Sequence, residues 1–560
     1  MTHRGARRRP AFSGAPRLPR FRGDLLDDPG ALDAWSGASG PVWIPPAAVA
    51  RPEGLEDLKT LVAWAADTGT PLIPRGGGTG MPGGNVGRGV IVDLTHFDEV
   101  RALPGGGVRA GAGAIAARAR AAARTLGRDL PALPSSAARC TVGGIVANDA
   151  AGARSFRYGP SHAWVECLEI VDATGEARTL RRGDPPDARA RALHAELAST
   201  LPTPLPWPDV RKNASGYALD RFLPSRDPLD LQIGSEGTLG IVVAAELRTH
   251  PLPTARGVAL LGVPDRALLP EWAALAHSVD ATTCEWFGER LLELGGLGED
   301  PRLHGLRSDR GVCLIEVIGD DVDAVEARLA ALRDGAGTGA RNPGCTTTSD
   351  EARIEAIWRL RHDASPRIAA RAGPTRRSAQ FIEDCVVPLD ALPRWLDAID
   401  ALLRAHRIDA VLFGHAGDGN IHINPLLDLT RPDWREGARA LLDEVVGAVA
   451  EAGGTLSGEH GDGRLRAPYL ERIWGARIVA GFRRVKDAHD PLGIFNPGVI
   501  LPRDAQDPFE GFGAGPEFGA SGRDPAAGEP AESRTPIEPR TPTESRTPIE
   551  PRTPTESRGP

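Results

Sequence analysis

The sequence predicts an α+β protein with two folded domains, and three observations carry that prediction. β-rich runs alternate with short amphipathic helices from Pro41 to Pro253, and beyond Thr254 each strand is followed by a longer helix. Three glycine-rich stretches punctuate the first region, while histidines set among glycines mark the end of the second. A chain of 560 residues exceeds one core, and its 41% hydrophobic and 25% charged residues are ordinary for globular domains. The domains are placed at 37–253 and 254–500, between a partly disordered leader over 1–36 and a disordered Pro-rich tail over 501–560.

The elements follow in order. The leader is basic, but Pro16, Arg17, Pro19 and Arg20 stand where a signal peptide needs an apolar stretch. Residues 55–69 space Leu55, Leu58, Leu61, Val62 and Ala65 along one helical face, with Gly69 as a stop. Strands are predicted at 71–74, 90–94 and from 166, then at 257–263 and 311–319. Residues 321–335 form an amphipathic helix, followed by a helix over 351–372, a strand over 381–388 and a helix over 390–405. VLFGHAG and IHINPLL read as two strands joined by the tight-turn signal Asp418-Gly419-Asn420, with helices over 432–452 and 467–489 after them. Strands alternating with helices suggest a sheet covered on one face. In the tail, ESRTPIEPRTPT at 532–543 returns at 544–555, a composition too poor in apolar surface to offset its ordering entropy.

Composition narrows the chemistry. A net charge of −8 argues against nucleic acid as a partner. Lys59, Lys212 and Lys486 are the only lysines, so an arginine is the expected carboxylate anchor. Six scattered cysteines without a C-x-x-C pair support neither a zinc ribbon nor an iron–sulfur cluster, and they fit a reduced cytoplasmic setting. No run is long enough to span a bilayer, so any contact with the inner face of a membrane is expected to be peripheral.

PRGGGTGMPGG at 74–84 follows a strand but is neither a P-loop nor a dinucleotide G-x-G-x-x-G. With CTVGGIVANDAAG from 140 and LQIGSEGTLGIVV from 231, it makes three loops able to bring backbone N–H groups close to a long pyrophosphate ligand. FGHAGDGNIHIN places His415 and His422 on either side of a turn, where paired strands bring both imidazoles to one point. GTLSGEHGDGR adds Glu459 and His460, and two imidazoles with one carboxylate form a set that leaves metal positions open.

On these motifs the chain resembles, from about Leu25 to Leu501, the FAD-linked oxidase family with the vanillyl-alcohol-oxidase type of flavin fold. Within it, the chain looks most like the D-lactate, glycolate and D-2-hydroxyglutarate dehydrogenase branch. The resemblance implies a two-part FAD-binding domain followed by an α+β cap domain for substrate and metal. It implies FAD contacts at Arg75, Gly76, Gly77, Gly78, Thr79 and Gly80, and at Thr141, Gly143, Gly144, Asn148 and Gly152. Ser235, Glu236, Gly237, Thr238, Gly240 and Ile241 would hold the adenine half, and Asn496 would return near the flavin ring. Thr79 stands where covalent members of the wider fold place a flavin-linking histidine, so the implied FAD is non-covalent.

The resemblance further implies His415, His422 and Glu459 as ligands of a divalent metal: zinc, with manganese or iron as alternatives. It makes His460 the base, neutral near pH 7, and Asn424 a hydrogen-bonding partner of substrate. WRLRHDAS at 358–365 resembles a carboxylate-binding helix, with Arg361 on the substrate carboxylate and Ser365 one turn further. Some members place a lysine near the position of Gln380 or Ile382, with Arg376 or Arg377 as candidate substitutes here. The implied activity is oxidation of a small D-2-hydroxy acid, with a separate iron–sulfur or other electron-acceptor protein as partner. A flavin subunit of a multi-protein complex, with another redox or non-redox role in the same fold, is the alternative.

Overall fold

The computed structural model describes residues 21–295, 303–337, 343–362, 368, 373 and 375–518; Ser365, the first 20 residues and the repeats from 532 lie outside them. Helix Leu55–Thr68 buries Leu58, Leu61, Val62 and Ala65, and it stops where Gly69, at φ 68°, turns its N–H back to the Ala65 carbonyl. Against it lies a sheet ordered Asp24–Leu26, Ala48–Arg51, Val90–Asp93, Leu72–Arg75, parallel except for the first strand. A second, antiparallel sheet is ordered Val100–Ala102, Val108–Gly111, Ile241–Leu247, Val165–Val171, Ala177–Arg181. Both sheets and the helix share one core through Ala48, Leu58, Val90, Val108, Ile170 and Val243.

The second half is built on an eight-stranded antiparallel sheet. Its central path runs Cys345–Thr348, Ala255–Gly262, Val312–Gly319, Thr283–Phe287, Asp409–His415, Asn420–Asp428, Arg376–Ser378, with Cys385–Val386 also paired to Asn420–Asp428. The period of two divides each strand between faces. Ala259, Leu261, Cys313, Ile315 and Leu412 pack beneath helices Leu269–Ser278, Val322–Gly335, Leu392–His406 and Trp434–Glu451. On the other face, Val258, Leu260, Phe287, Leu314, Val411 and Phe413 meet helices Glu289–Gly295 and Glu351–His362. Covering is therefore on both faces, and the second cover leaves part of the sheet open to a cleft.

Three expectations are corrected. The strand over 381–388 contracts to Cys385–Val386, because Glu383 and Asp384 leave the ladder to bind the 457–466 segment with their carboxylates. The leader ends earlier than residue 36: Asp24–Leu26 pairs with Ala48–Arg51, and Asp28 caps helix Pro29–Asp33 by accepting the Ala31 N–H. The tail begins later than 501. Trp43 donates its N–H to the Gly511 carbonyl at 2.9 Å and Gly513 to that of Pro41 at 2.8 Å, so this segment straps onto the N-terminal half. Phe512 is buried 5.3 Å from the Phe381 ring, Phe518 stacks on Trp434 at 6.0 Å, and Asp507 pairs with Arg439 at 2.8 Å, which fastens the strap to the second half too. Averaging composition over a Gly- and Pro-rich stretch concealed three phenylalanines that make it fold. Among the described residues no helix is long and apolar enough to cross a membrane.

Phe512→Ala is expected to lower unfolding stability by about 3–5 kcal/mol, the cost of emptying a packed phenylalanine site, and truncation after Leu501 to lower it further. Denaturant unfolding of the two variants beside the full chain checks this.

Candidate functional site

The hairpin Asp409–His415/Asn420–Asp428 pairs Phe413 with His422 and His415 with Asn420, and Gly419 at φ 70° closes its turn. This register puts His415 and His422 on the cleft face, with ring centroids 5.2 Å apart. Glu459 reaches the same point from the glycine-rich segment before helix Gly463–Arg466, where its own N–H and that of His460 are held by Asp384 at 3.1 and 2.8 Å. One oxygen of Glu459 thereby lies 3.3 Å from His415 Nε2, 3.4 Å from His422 Nε2 and 3.5 Å from His460 Nε2. Its other oxygen faces Lys212 Nζ at 3.4 Å, and that buried ammonium also meets Asp418 at 3.3 Å.

The outward ring nitrogens are all engaged. His415 Nδ1–H donates to Glu285 at 2.5 Å, His422 Nδ1–H to the Glu383 carbonyl at 2.7 Å, and His460 Nδ1–H to the Glu383 carboxylate at 2.5 Å. Each contact directs Nε2 inward, the orientation that metal-binding imidazoles take from a second acceptor. His415, His422 and Glu459 have ligand atoms within 4.8 Å of one another, so the donor set and its spacing fit a divalent cation.

Electrostatics separate the three rings. Burial alone would raise Glu459, but Lys212 and then His415 outweigh it and hold the carboxyl well below its usual range. Burial lowers His422 to about 4, so that ring is neutral. For His415 burial is overcome by Glu285, and the ring is raised. His460 departs from expectation: burial opposes its charge, yet Glu383 and Asp384 push it up to about 10. Without a cation beside it, His460 is therefore an imidazolium near pH 7, not the neutral ring the sequence suggested.

Arg361 sits on helix Glu351–His362 and lines the cleft, its guanidinium 4.7 Å over the Phe413 ring. Its Nε donates to Glu285 at 3.0 Å, so a single carboxylate joins Arg361 to His415. Asn424 shares the hairpin face but is buried and accepts from Gln380 Nε2 at 3.2 Å; Gln380, not Asn424, lines the cleft. Arg376 pairs with Asp409 at 3.3 Å on an edge strand outside the cleft lining. Ser365 lies outside the described residues.

The cleft has a volume of about 1300 Å³ and runs from the glycine loops to the imidazoles. This exceeds the roughly 300–1,000 Å³ of ordinary small-ligand pockets, giving room for a dinucleotide together with a small acid. Arg75, Gly76, Gly77, Gly78, Thr79, Gly80, Thr141, Gly143, Gly144, Asn148, Gly152, Glu236 and Gly237 line it. Among the described residues, the backbone N–H groups of Gly76, Gly77, Gly78, Thr79 and Gly80 donate to no acceptor, and Asn85 Oδ1 is buried without a partner. Five free amides and one free acceptor along a cleft wall fit the pyrophosphate and polar groups of FAD. A Cβ at Gly76 would come within 2.1 Å of Thr141 Oγ1, and one at Gly77 within 2.3 Å of the Arg139 carbonyl. The first two loops thus pack against each other, as well as facing a ligand.

Several expected FAD contacts also bind protein groups, and some lie outside the lining. Arg75 Nη1 donates to the Trp35 carbonyl at 3.1 Å and the guanidinium lies over the Trp35 ring, so it braces the loop from behind. Glu236 accepts the N–H groups of Asp462 and Gly463 at 2.6 and 2.9 Å, and burial followed by Asp462 pushes it up to about 8. Ser235, Thr238, Gly240, Ile241 and Asn496 are not part of the cleft lining. Thr238 binds the Tyr217 hydroxyl, and Asn496 Nδ2 donates to the Gly84 and Glu236 carbonyls at 2.7 and 2.8 Å. Asn496 thus fixes the first and third loops to one another.

The residues that sequence reasoning missed are Glu285, Glu383, Asp384 and Lys212. A carboxylate inside TCEWF and an acidic pair inside FIEDCVVP were signals, since buried charges in apolar strands need a partner.

Comparisons with known proteins show the family to which the chain belongs. A family described as "FAD binding domain" matches residues 46–181, and one described as "FAD linked oxidases, C-terminal domain" matches 253–500. The chain is 30% identical over 509 residues to a D-2-hydroxyglutarate dehydrogenase of Xanthomonas citri pv. viticola, covering 86% of this chain and 95% of that protein. It is 28% identical over 474 residues to the glycolate oxidase subunit GlcD of Bacillus subtilis, covering 82% and 90%. The structure of 4-ethylphenol oxidase from Gulosibacter chungangensis superposes with a TM-score of 0.60 at 17% identity, over 86% of this chain and 95% of that one, a likeness of fold. With its free-amide glycine loop, its cleft and these matches, the chain belongs to the FAD-linked oxidase family and is an FAD-linked oxidoreductase of the vanillyl-alcohol-oxidase fold.

Proposed function

We propose that this protein oxidises a small D-2-hydroxy acid (D-lactate, glycolate or D-2-hydroxyglutarate) to the 2-oxo acid, using non-covalent FAD and a divalent cation. The observation that carries this reading is the convergence of three imidazole Nε2 atoms within 3.3–3.5 Å of one Glu459 oxygen. The names of the relatives, a D-2-hydroxyglutarate dehydrogenase and a glycolate oxidase subunit, support the substrate class. When bound, FAD supplies the acceptor for the hydride leaving C2, and the cation supplies Lewis acidity toward the C2 hydroxyl.

The chain's own residues do the rest. His415, His422 and Glu459 would hold the cation, with Nδ1 of each ring committed to Glu285 or to the Glu383 carbonyl. Arg361, its Nε held by Glu285, turns its terminal nitrogens to the substrate carboxylate. His460 would accept the hydroxyl proton at Nε2, its Nδ1–H staying on Glu383, and a cation held beside it would oppose the extra proton on that ring. Zinc is the first choice of cation for two imidazoles and a carboxylate, and manganese or iron are the alternatives.

Anaerobic mixing with one of the three acids is expected to bleach the flavin, and His460→Ala, with FAD retained, to slow the bleaching by about 10²–10⁴-fold. Bleaching by none of them rejects the reading. Elemental analysis is expected to find about one divalent cation per chain; chelation should abolish flavin reduction by substrate and re-addition of the metal should restore it. Acid precipitation should release the FAD into the supernatant.

The pH dependence has a defined sign. His460 is raised from 6.5 to about 10 in the cation-free protein. The pairing with Glu383 therefore adds stability that is fully present below about pH 6.5 and lost as pH rises through about 10. Thermal melts of chelated protein across that window should fall with pH, and His460→Asn should flatten the slope.

A further inference from the structure

Glu383 makes two separate contacts to the imidazole cluster. Its carboxylate Oε2 accepts His460 Nδ1–H at 2.5 Å, while its main-chain carbonyl accepts His422 Nδ1–H at 2.7 Å. The two rings consequently lie nearly parallel, with centroids 5.5 Å apart and planes 16° from one another. The glutamate itself has no freedom to follow a ring that moves. It is buried, Oε1 is tied to Arg466 Nη2 at 2.5 Å, and the same guanidinium donates to the Gly461 carbonyl at 2.7 Å. Next to it, Asp384 fixes the main chain of Glu459 and His460 through their N–H groups and receives the Ser457 hydroxyl at 2.8 Å. Ring and backbone of residue 460 are thus held from one dipeptide, on a segment that has left the sheet ladder.

We infer that Glu383 is a positioning residue: it fixes the tautomer and aim of His460 through its side chain and the aim of His422 through its carbonyl. This rests on the reading of His460 as the proton acceptor. A neutral imidazole can carry its proton on either nitrogen, and only the Nδ1–H form leaves Nε2 free to receive one. The carboxylate selects that form, whereas an amide in its place can either donate or accept and selects neither. The main-chain contact survives any side-chain change, so a substitution at Glu383 separates the orientation of His460 from that of His422.

The test uses the FAD-loaded full chain, with its metal content measured, as wild type, Glu383→Gln and Glu383→Asp. D-lactate, glycolate and D-2-hydroxyglutarate are mixed with each anaerobically. For Glu383→Gln the rate constant of flavin reduction is expected to fall about 10²–10⁴-fold, the range for a misaligned proton acceptor, with KM and metal content little changed. Glu383→Asp keeps the charge but is a methylene short, and should recover part of the loss. A strongly downfield exchangeable proton, the mark of a short imidazole–carboxylate bond, is expected in the wild-type proton spectrum without substrate and should vanish in Glu383→Gln. An undiminished rate in Glu383→Gln, a loss confined to KM, or absence of that resonance in the wild type overturns the inference. Failure of all three acids to bleach the wild-type flavin instead overturns the hydroxy-acid reading, and the proton resonance still decides the role of Glu383. Should Glu383→Gln not retain FAD, equal rates in Glu383→Asp and wild type with the resonance lost overturn the inference as well.

Discussion

A buried, ionised Glu459 is the constraint around which the second half of the molecule is arranged. A carboxylate removed from water is costly unless it is paired, and breaking a buried pair by deleting one partner typically costs about 3–5 kcal/mol. Here Lys212 neutralises one oxygen and three imidazole nitrogens crowd the other. Those four partners come from four segments: the stretch that begins at Lys212, the two hairpin strands and the segment that carries Glu459 itself. Lys212 belongs to the first half of the chain and the histidines to the second, so the charge that organises the site also ties the halves together.

The same economy appears one layer out. Glu285 joins His415 to Arg361, Glu383 joins His460 and His422, and Asp384 holds the peptide that carries Glu459 and His460. Four acidic groups and few cations in a small volume would repel one another in isolation. Shared imidazole, guanidinium and ammonium partners turn that repulsion into geometry, because each ring has one orientation that satisfies both of its nitrogens. The residues proposed to hold a cation, to bind a carboxylate and to take a proton are therefore linked through shared carboxylates. A change at Glu285 reaches both Arg361 and His415.

Much of this was legible beforehand, for identifiable reasons. Helix Leu55–Thr68 and its Gly69 stop, the Asp-Gly turn between His415 and His422, and the glycine loop at 76–80 are local features. Each is written in residues next to one another, where periodicity and turn chemistry act. Ser235, Thr238 and Asn496 were expected at the ligand and lie outside the cleft lining, with Asn496 joining the first and third loops, because polar residues beside glycines satisfy ligand and backbone equally well in a sequence. The strap at 501–518 was concealed for another reason. Its phenylalanines acquire meaning only against Phe381 and Trp434, far away in the chain.

By itself, the sequence determined, through its resemblance to a known family, the flavin fold, and, through short-range pattern, the helix at 55–68 and the pair of strands that brings His415 beside His422. Only the tertiary structure decided which acidic groups surround those rings and hence their charge. His460 illustrates the difference: in the sequence it is a histidine between a glutamate and a glycine, while in the fold Glu383, 77 residues away in sequence, lies on its Nδ1 and, in the absence of a cation, raises its pKa. Electrostatic shifts of that size depend on distances of a few ångströms between residues remote in sequence, and no local pattern encodes them.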